Sequence, residues 1–191
     1  MQALIDRILA DAEILPGNII KVGGFLNHQY NTDLLREMGK EVARLYANEG
    51  VTKIVTIEAS GIAFAAAVAL EMNVPFVFAK KHSTANLGGE VYSATVHSYT
   101  HNKDYNIIIP KAYLSQNDCV LILDDFLAKG AAARGLIEII KASGAKLAGV
   151  CTQIEKGFQG GGDELRDLGI RVDALALVES MSEGSITFRQ D

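Results

Sequence analysis

The sequence predicts an α/β fold: a mainly parallel sheet flanked by helices. Three observations point there. Short apolar, β-branched runs alternate with stretches of helical periodicity along most of the chain. Those runs are apolar throughout rather than at every second residue, as strands covered on both faces must be. The turns after two of them, "EASG" and "LAKGAAA", are built largely from small residues, which suits the open carboxyl edge of a parallel sheet.

The elements follow in order. "MQALIDRILADAEIL" carries Asp6, Arg7 and Asp11 inside an apolar pattern, so it reads as an amphipathic helix and not as a secretory signal. Residues 1–31 precede the alternation and are expected to form a separate flap, or hood. A helix is predicted over Asp33 to Asn48, with Thr32 as cap, Leu34, Leu35, Met38, Val42 and Leu45 on one face, and Gly50 beyond its end. "KIVTI" (53–57) is a strand, followed by a helix over about Ile62 to Glu71 and a strand "PFVFAK" (75–80). Between Val91 and Ile109 the pattern becomes "VYSATVHSYT" and "YNIII" around "HNKD", an antiparallel hairpin, and residues 83–111 are expected to act as a lid. "CVLIL" (119–123) leads into a helix over about Ala131 to Ala142, stopped by Gly144. "LAGVCTQI" (147–154) and "VDALALV" (172–178) are strands separated by a short helix near Asp163 to Leu168.

Bulk properties narrow the classes. At 191 residues with no repeat and no proline-rich linker, a single domain is expected over 1–191. The net charge of -5 and the lack of a basic stripe speak against nucleic acid as a partner. The longest weakly polar segment, Gly61 to Leu70, is far shorter than the ~20 residues of a membrane helix. Cys119 and Cys151 lie in apolar runs, where a thiol behaves as a small hydrophobe, and a cytoplasmic location fits. No metal-ligand cluster is visible.

One stretch carries chemistry. In "VLILDDFLAKGAAA" an apolar strand gives way to Asp124 and Asp125 and then to a small-residue loop ahead of a helix. Ligands of open parallel sheets bind at this edge. The acids offer acceptors for hydroxyl groups, while the loop amides and the positive helix end offer a cradle for a phosphate. A ribose 5-phosphate needs both. Taken alone, the pair also reads as a helix cap, a solvated turn, or the acidic pocket of a phosphoacceptor receiver, although receivers carry their paired acids after the first strand.

The same stretch resembles the phosphoribosyl-pyrophosphate (PRPP) motif of the type I phosphoribosyltransferases. "KVGGFLNHQ" (21–29), "TKIVTIEASGIAFA" (52–65), "VPFVFAKKH" (74–82) and "VCTQIEKGFQGGGDEL" (150–165) are similar to further family segments, in family order. The resemblance implies transfer of the phosphoribosyl group from PRPP to a purine, with pyrophosphate released and Mg²⁺ travelling with the phosphates. It implies a homodimer and a role in purine salvage. Asp124 and Asp125 would hold the ribose hydroxyls, and Ala128, Lys129, Gly130, Ala131 and Ala132 the 5′-phosphate. Ala131 and Ala132 bring no hydroxyl, so backbone amides would carry that contact. Ser60 and Gly61 would form the pyrophosphate loop, the glycine allowing a bend, with Lys81 rather than Lys80 as countercharge. Lys156 would face the oxo groups of the base, with Ile20 and Asn27 closing over it and Phe158 stacking on it. Xanthine is the expected base, guanine or hypoxanthine the alternative. A PRPP-sensing regulator with the same fold is the remaining rival.

Overall fold

The structure is a computed structural model that describes residues 1–81, 90–98 and 103–189. Helix α1 spans Gln2–Asp11, and the hairpin β1 (Glu13–Leu15) and β2 (Ile19–Lys21) leads to α2 (Thr32–Leu45). Then come β3 (Lys53–Ile57), α3 (Gly61–Met72), β4 (Phe76–Ala79) and the hairpin β5 (Val91–Ser98) with β6 (Lys103–Pro110). The chain closes with β7 (Cys119–Leu127), α4 (Ala131–Ser143), β8 (Lys146–Lys156), α5 (Gly161–Asp167), β9 (Val172–Ser182) and β10 (Ser185–Phe188).

Six strands form the central sheet in the order β10-β9-β8-β7-β3-β4, all parallel except β10, which runs antiparallel to β9. The expected α/β class follows from strands that are buried on both sides. Ile54, Leu121 and Cys151 join the core under α2 and α3, whereas Val55, Ile122 and Val150 join the core under α4. Successive strand residues point to opposite faces, so a strand that serves two cores must be apolar at every position.

Three local expectations change. The cap of α2 is Asn31, whose side-chain oxygen accepts from the Leu34 amide at 3.0 Å, while Thr32 is already helical. That helix stops at Leu45 rather than Asn48, because the fully buried Tyr46 turns inward to donate to Asp173 at 2.7 Å. Strand β7 does not end at Leu123 but continues through the acids to Leu127. Asp124 and Asp125 satisfy local backbone themselves, accepting from the Asp125 amide at 3.0 Å and the Phe126 amide at 2.9 Å. Beyond them, Phe126 and Leu127 pair again with Ile154 and Glu155 of β8.

The N-terminal segment is not a separate flap. Leu4, Ile8, Val22, Phe25 and Leu26 are all buried in the core shared with α2, α3 and the sheet. Only the β1–β2 tip, with Gly17 and Asn18 at positive φ, reaches out beyond that core toward the carboxyl edge. The hairpin β5–β6 is likewise anchored: Ala94, Val96, Ile107 and Ile109 pack with Leu136 and Ile140 of α4. Backbone bonds between Lys80 and Ile108, both 3.1 Å, tie it to the edge of the sheet. Parts of the expected lid, 83–89 and 99–102, and His82 lie outside the described residues.

Candidate active site

The carboxyl ends of β7 and β8 open into a cleft of about 490 Å³. Asp124, the loop 128–133, Lys156 and the flap tip Gly17-Asn18-Ile19 line it. Asp124 is 7% exposed. Burial, and then the charge of Asp125 beside it, push its carboxyl well above the usual carboxylate range, against the pull of Lys81. Asp125 is half-buried, and its charge adds to burial in raising the Tyr30 phenol.

The loop after the acids is shaped by glycine. Gly130 has φ +73°, a left-handed conformation that costs glycine nothing, and it stands at the N-terminus of α4. No side chain caps that helix, and Gly130 to Ala133 face the cleft, so the first-turn amides are available to an anion. The loop is held from behind by α5. The Gly161 amide donates to the Ala128 carbonyl at 3.1 Å. Arg134 bonds to the Lys129 carbonyl with one nitrogen and to Glu164 at 3.0 Å with the other. Helix α5 is anchored in turn by Arg166, which grips the buried Glu155 carboxylate with two nitrogens at 2.8 and 2.6 Å. Glu155 immediately precedes Lys156, so one brace supports both ends of the cleft.

The turn from β3 to α3 lies against the same acid. A β-carbon on Gly61 would stand 2.3 Å from Thr56 Oγ1 and 3.4 Å from Asp124 Oδ1. Close approach, and not a bend, is therefore what demands glycine there, since Gly61 does not adopt positive φ. The preceding Glu58–Ala59 peptide is cis. Ser60 makes no capping bond with its side chain, but its carbonyl accepts from the Tyr30 hydroxyl at 2.9 Å. Of the two neighbouring lysines, Lys81 is the one near the acids: its charge acts on Asp124, its ammonium lies 5.5 Å from the Tyr105 ring centre, and its amide donates to Glu58 at 2.6 Å. Lys80 instead lies over Phe78 and lines an outer groove of about 550 Å³ with no carboxylate among its described lining residues.

At the other end, the Lys156 ammonium donates to the Asn18 carbonyl at 2.7 Å and sits 5.4 Å from the Phe126 ring centre. Burial lowers its affinity for the proton. The structure does not bring Ile20 and Asn27 to this cleft. Both border a separate hollow with Gly23 and Gly24, and Ile20 is buried in the core. Alternation along β2 explains the difference: Ile19 faces outward at 49% exposure, so Ile20 must face in. Phe158 sits on a short 3₁₀ turn, 38% exposed and away from the cleft lining, and Phe126 is the aromatic beneath Lys156. Tyr30, Tyr105, Phe126 and the Glu155–Arg166 pair were not foreseen. Phe126 and Glu155 carried a signal, since each lies inside a family-like segment of the sequence.

Among the described residues no three His, Cys, Asp or Glu side chains converge as a metal cage. A model of the phosphoribosyl transferase domain matches residues 23–167. The chain is 49% identical over 193 residues to a xanthine phosphoribosyltransferase of Lachnoclostridium phytofermentans, covering all of both chains. It is 50% identical over 192 residues to one of Bifidobacterium longum, covering 99% of this chain and all of that one. Its fold is similar to an adenine phosphoribosyltransferase of Giardia lamblia solved with 9-deazaadenine, with a TM-score of 0.78, 24% identity, and 93% and 98% of the two chains covered. A matching domain over most of the chain and full-length relatives near half identity agree: the chain belongs to the phosphoribosyl transferase family.

Proposed function

We propose that the protein transfers the 5-phosphoribosyl group from Mg²⁺-PRPP to xanthine, yielding xanthosine 5′-monophosphate and pyrophosphate. The observation that carries this reading is one cleft lined by the Asp124 carboxyl, the amide cradle of the loop behind it and the Lys156 ammonium. A bond forms between a ring nitrogen of the base and C1′ as the bond from C1′ to the pyrophosphate oxygen breaks. The electron pair leaves with pyrophosphate, and the proton on the attacking nitrogen passes to solvent. As C1′ becomes electron-poor, Asp124 and Asp125 hold the ribose hydroxyls and supply stabilising negative charge. The amides from Ala128 to Ala132 grip the 5′-phosphate. Ser60, Gly61 and Lys81 receive the departing diphosphate, whose Mg²⁺ arrives with the substrate, held mainly by phosphate oxygens and water.

Lys156 selects the base. Its ammonium has three donors and no acceptor. One is taken by Asn18, which leaves two for the oxo groups of xanthine. An exocyclic amine in that place would oppose donor to donor. The relatives named as xanthine phosphoribosyltransferases support the same choice. In this conformation Asn18 and Ile19 are the flap positions that line the cleft, while Ile20 and Asn27 border the neighbouring hollow. The reading includes purine salvage, a reducing cytoplasm, which the free Cys119 and Cys151 suit, and a homodimer, for which the apolar groove along β4 is a suitable face.

The test is pyrophosphate release by purified protein with Mg²⁺ and PRPP, comparing xanthine, guanine, hypoxanthine and adenine. Marked preference for xanthine is expected. Preference for guanine or hypoxanthine would discard the Lys156 argument, and PRPP binding without turnover on any base would overturn the enzyme reading.

A further inference from the structure

Tyr30 has no part in the chemistry above, yet it reaches into the site. Its hydroxyl donates to the Ser60 carbonyl at 2.9 Å across a sequence separation of 30 residues, in a half-buried position. The tyrosine stands on a firm base. It forms a bridge with Leu26, and the next residue, Asn31, both caps α2 and donates its amide to the Phe25 carbonyl at 3.0 Å. Phe25 and Leu26 are buried in the core. The bond thus links the rigid foot of α2 to the turn that opens α3.

The geometry of the peptide unit gives that bond a consequence. In a trans peptide the carbonyl and the following N–H point to opposite sides. The Ser60–Gly61 peptide is trans, so drawing the Ser60 carbonyl toward Tyr30 aims the Gly61 amide the other way. Gly61 is the first residue of α3, where amides have no partner within the helix, and a β-carbon on it would stand 3.4 Å from Asp124 Oδ1. Ser60 offers no side-chain cap to fix the turn in another manner.

We infer that Tyr30 is a positioning residue for the diphosphate: its hydroxyl orients the Ser60–Gly61 peptide so that the Gly61 amide is presented to the leaving group. The inference rests on the PRPP reading of the cleft. It separates the two substrates, because Tyr30 bonds to the diphosphate turn whereas Lys156 bonds to the flap tip.

The experiment is Tyr30→Phe, which keeps the ring and removes one oxygen. Steady-state kinetics for each substrate are combined with calorimetric titration of Mg²⁺-pyrophosphate into wild type and variant. The expected result is a KM for PRPP and a Kd for pyrophosphate raised about fivefold to tenfold, the scale of one lost hydrogen bond, with the KM for xanthine unchanged. A purely structural tyrosine would lower the melting temperature and shift both KM values together, and that result overturns the inference. Unchanged PRPP and pyrophosphate parameters in an active variant overturn it as well, leaving the enzyme reading intact. Wild-type protein that neither binds PRPP nor turns over would sink both.

Discussion

Replacing Gly161 by alanine tests how tightly α5 supports the phosphate loop. The new β-carbon would stand 2.3 Å from the Ala128 oxygen, 2.5 Å from the Lys129 carbonyl carbon and 2.6 Å from the Gly130 nitrogen. Ordinary contact begins near 3.4 Å, so the shortfall against the Ala128 oxygen is about 1 Å. All three atoms are backbone, and no rotamer change relieves them. Either the loop or α5 must move by about that distance, and the Gly161–Ala128 bond is strained with it. Overpacking of this kind costs about 1–3 kcal/mol. In a chain of this size that lowers Tm by about 2–12 °C. A displacement of about 1 Å in a binding element can cost roughly 10²-fold in rate. The KM for PRPP should therefore rise roughly 10- to 100-fold in Gly161→Ala while the KM for xanthine moves by less than about threefold, because Lys156 and Asn18 do not touch the clash. Steady-state kinetics on folded variant, checked by thermal melting, decide it. An unchanged KM for PRPP, or equal increases for both substrates, would refute the claim that this loop holds the phosphate.

Two further outcomes are expected. Lys156→Ala should raise the KM for xanthine about 10- to 100-fold with little change in the KM for PRPP, since a bond from a charged donor is worth about 1.5–3 kcal/mol. Asp124→Asn should cut kcat about 10²- to 10³-fold yet melt higher than wild type near neutral pH. The sign comes from burial, which raises the folded carboxyl above its unfolded value. The native state then binds the proton more tightly, and the stability this adds is present below the unfolded pKa and lost as pH rises through the raised one. The gap in Tm between Asp124→Asn and wild type should accordingly close as the pH is lowered toward about 4, the unfolded carboxylate range.

The sheet was legible because its strands are apolar at every position, and that pattern has no other economical cause. Strand β3 and the start of α4 are where the residues place them. The acidic pair and the cleared loop behind it were legible because a phosphate cradle needs small residues at a helix start, a local requirement written in consecutive positions. What escaped depends on contacts between distant segments. Nothing near Tyr30 in the sequence announces Ser60, and nothing near Glu155 announces that Arg166 will fold back across Gly162, whose missing side chain makes room for the pair. Which of Ile19 and Ile20 faces the cleft was not legible, since the two are equally apolar and only the packed core tells inside from outside. At position 61 a clash with any side chain is expected and found, but its sources, Thr56 and Asp124, are not legible in the neighbouring sequence.

The most direct measurement is a crystal structure of the protein with xanthosine 5′-monophosphate. The phosphate should lie on the amides of residues 128–132 and the ribose hydroxyls on Asp124 or Asp125. An oxo group of the base should lie within about 3.2 Å of Lys156 Nζ. A nucleotide bound with its phosphate away from that loop, or with its base away from Lys156, would contradict the assignment of this cleft.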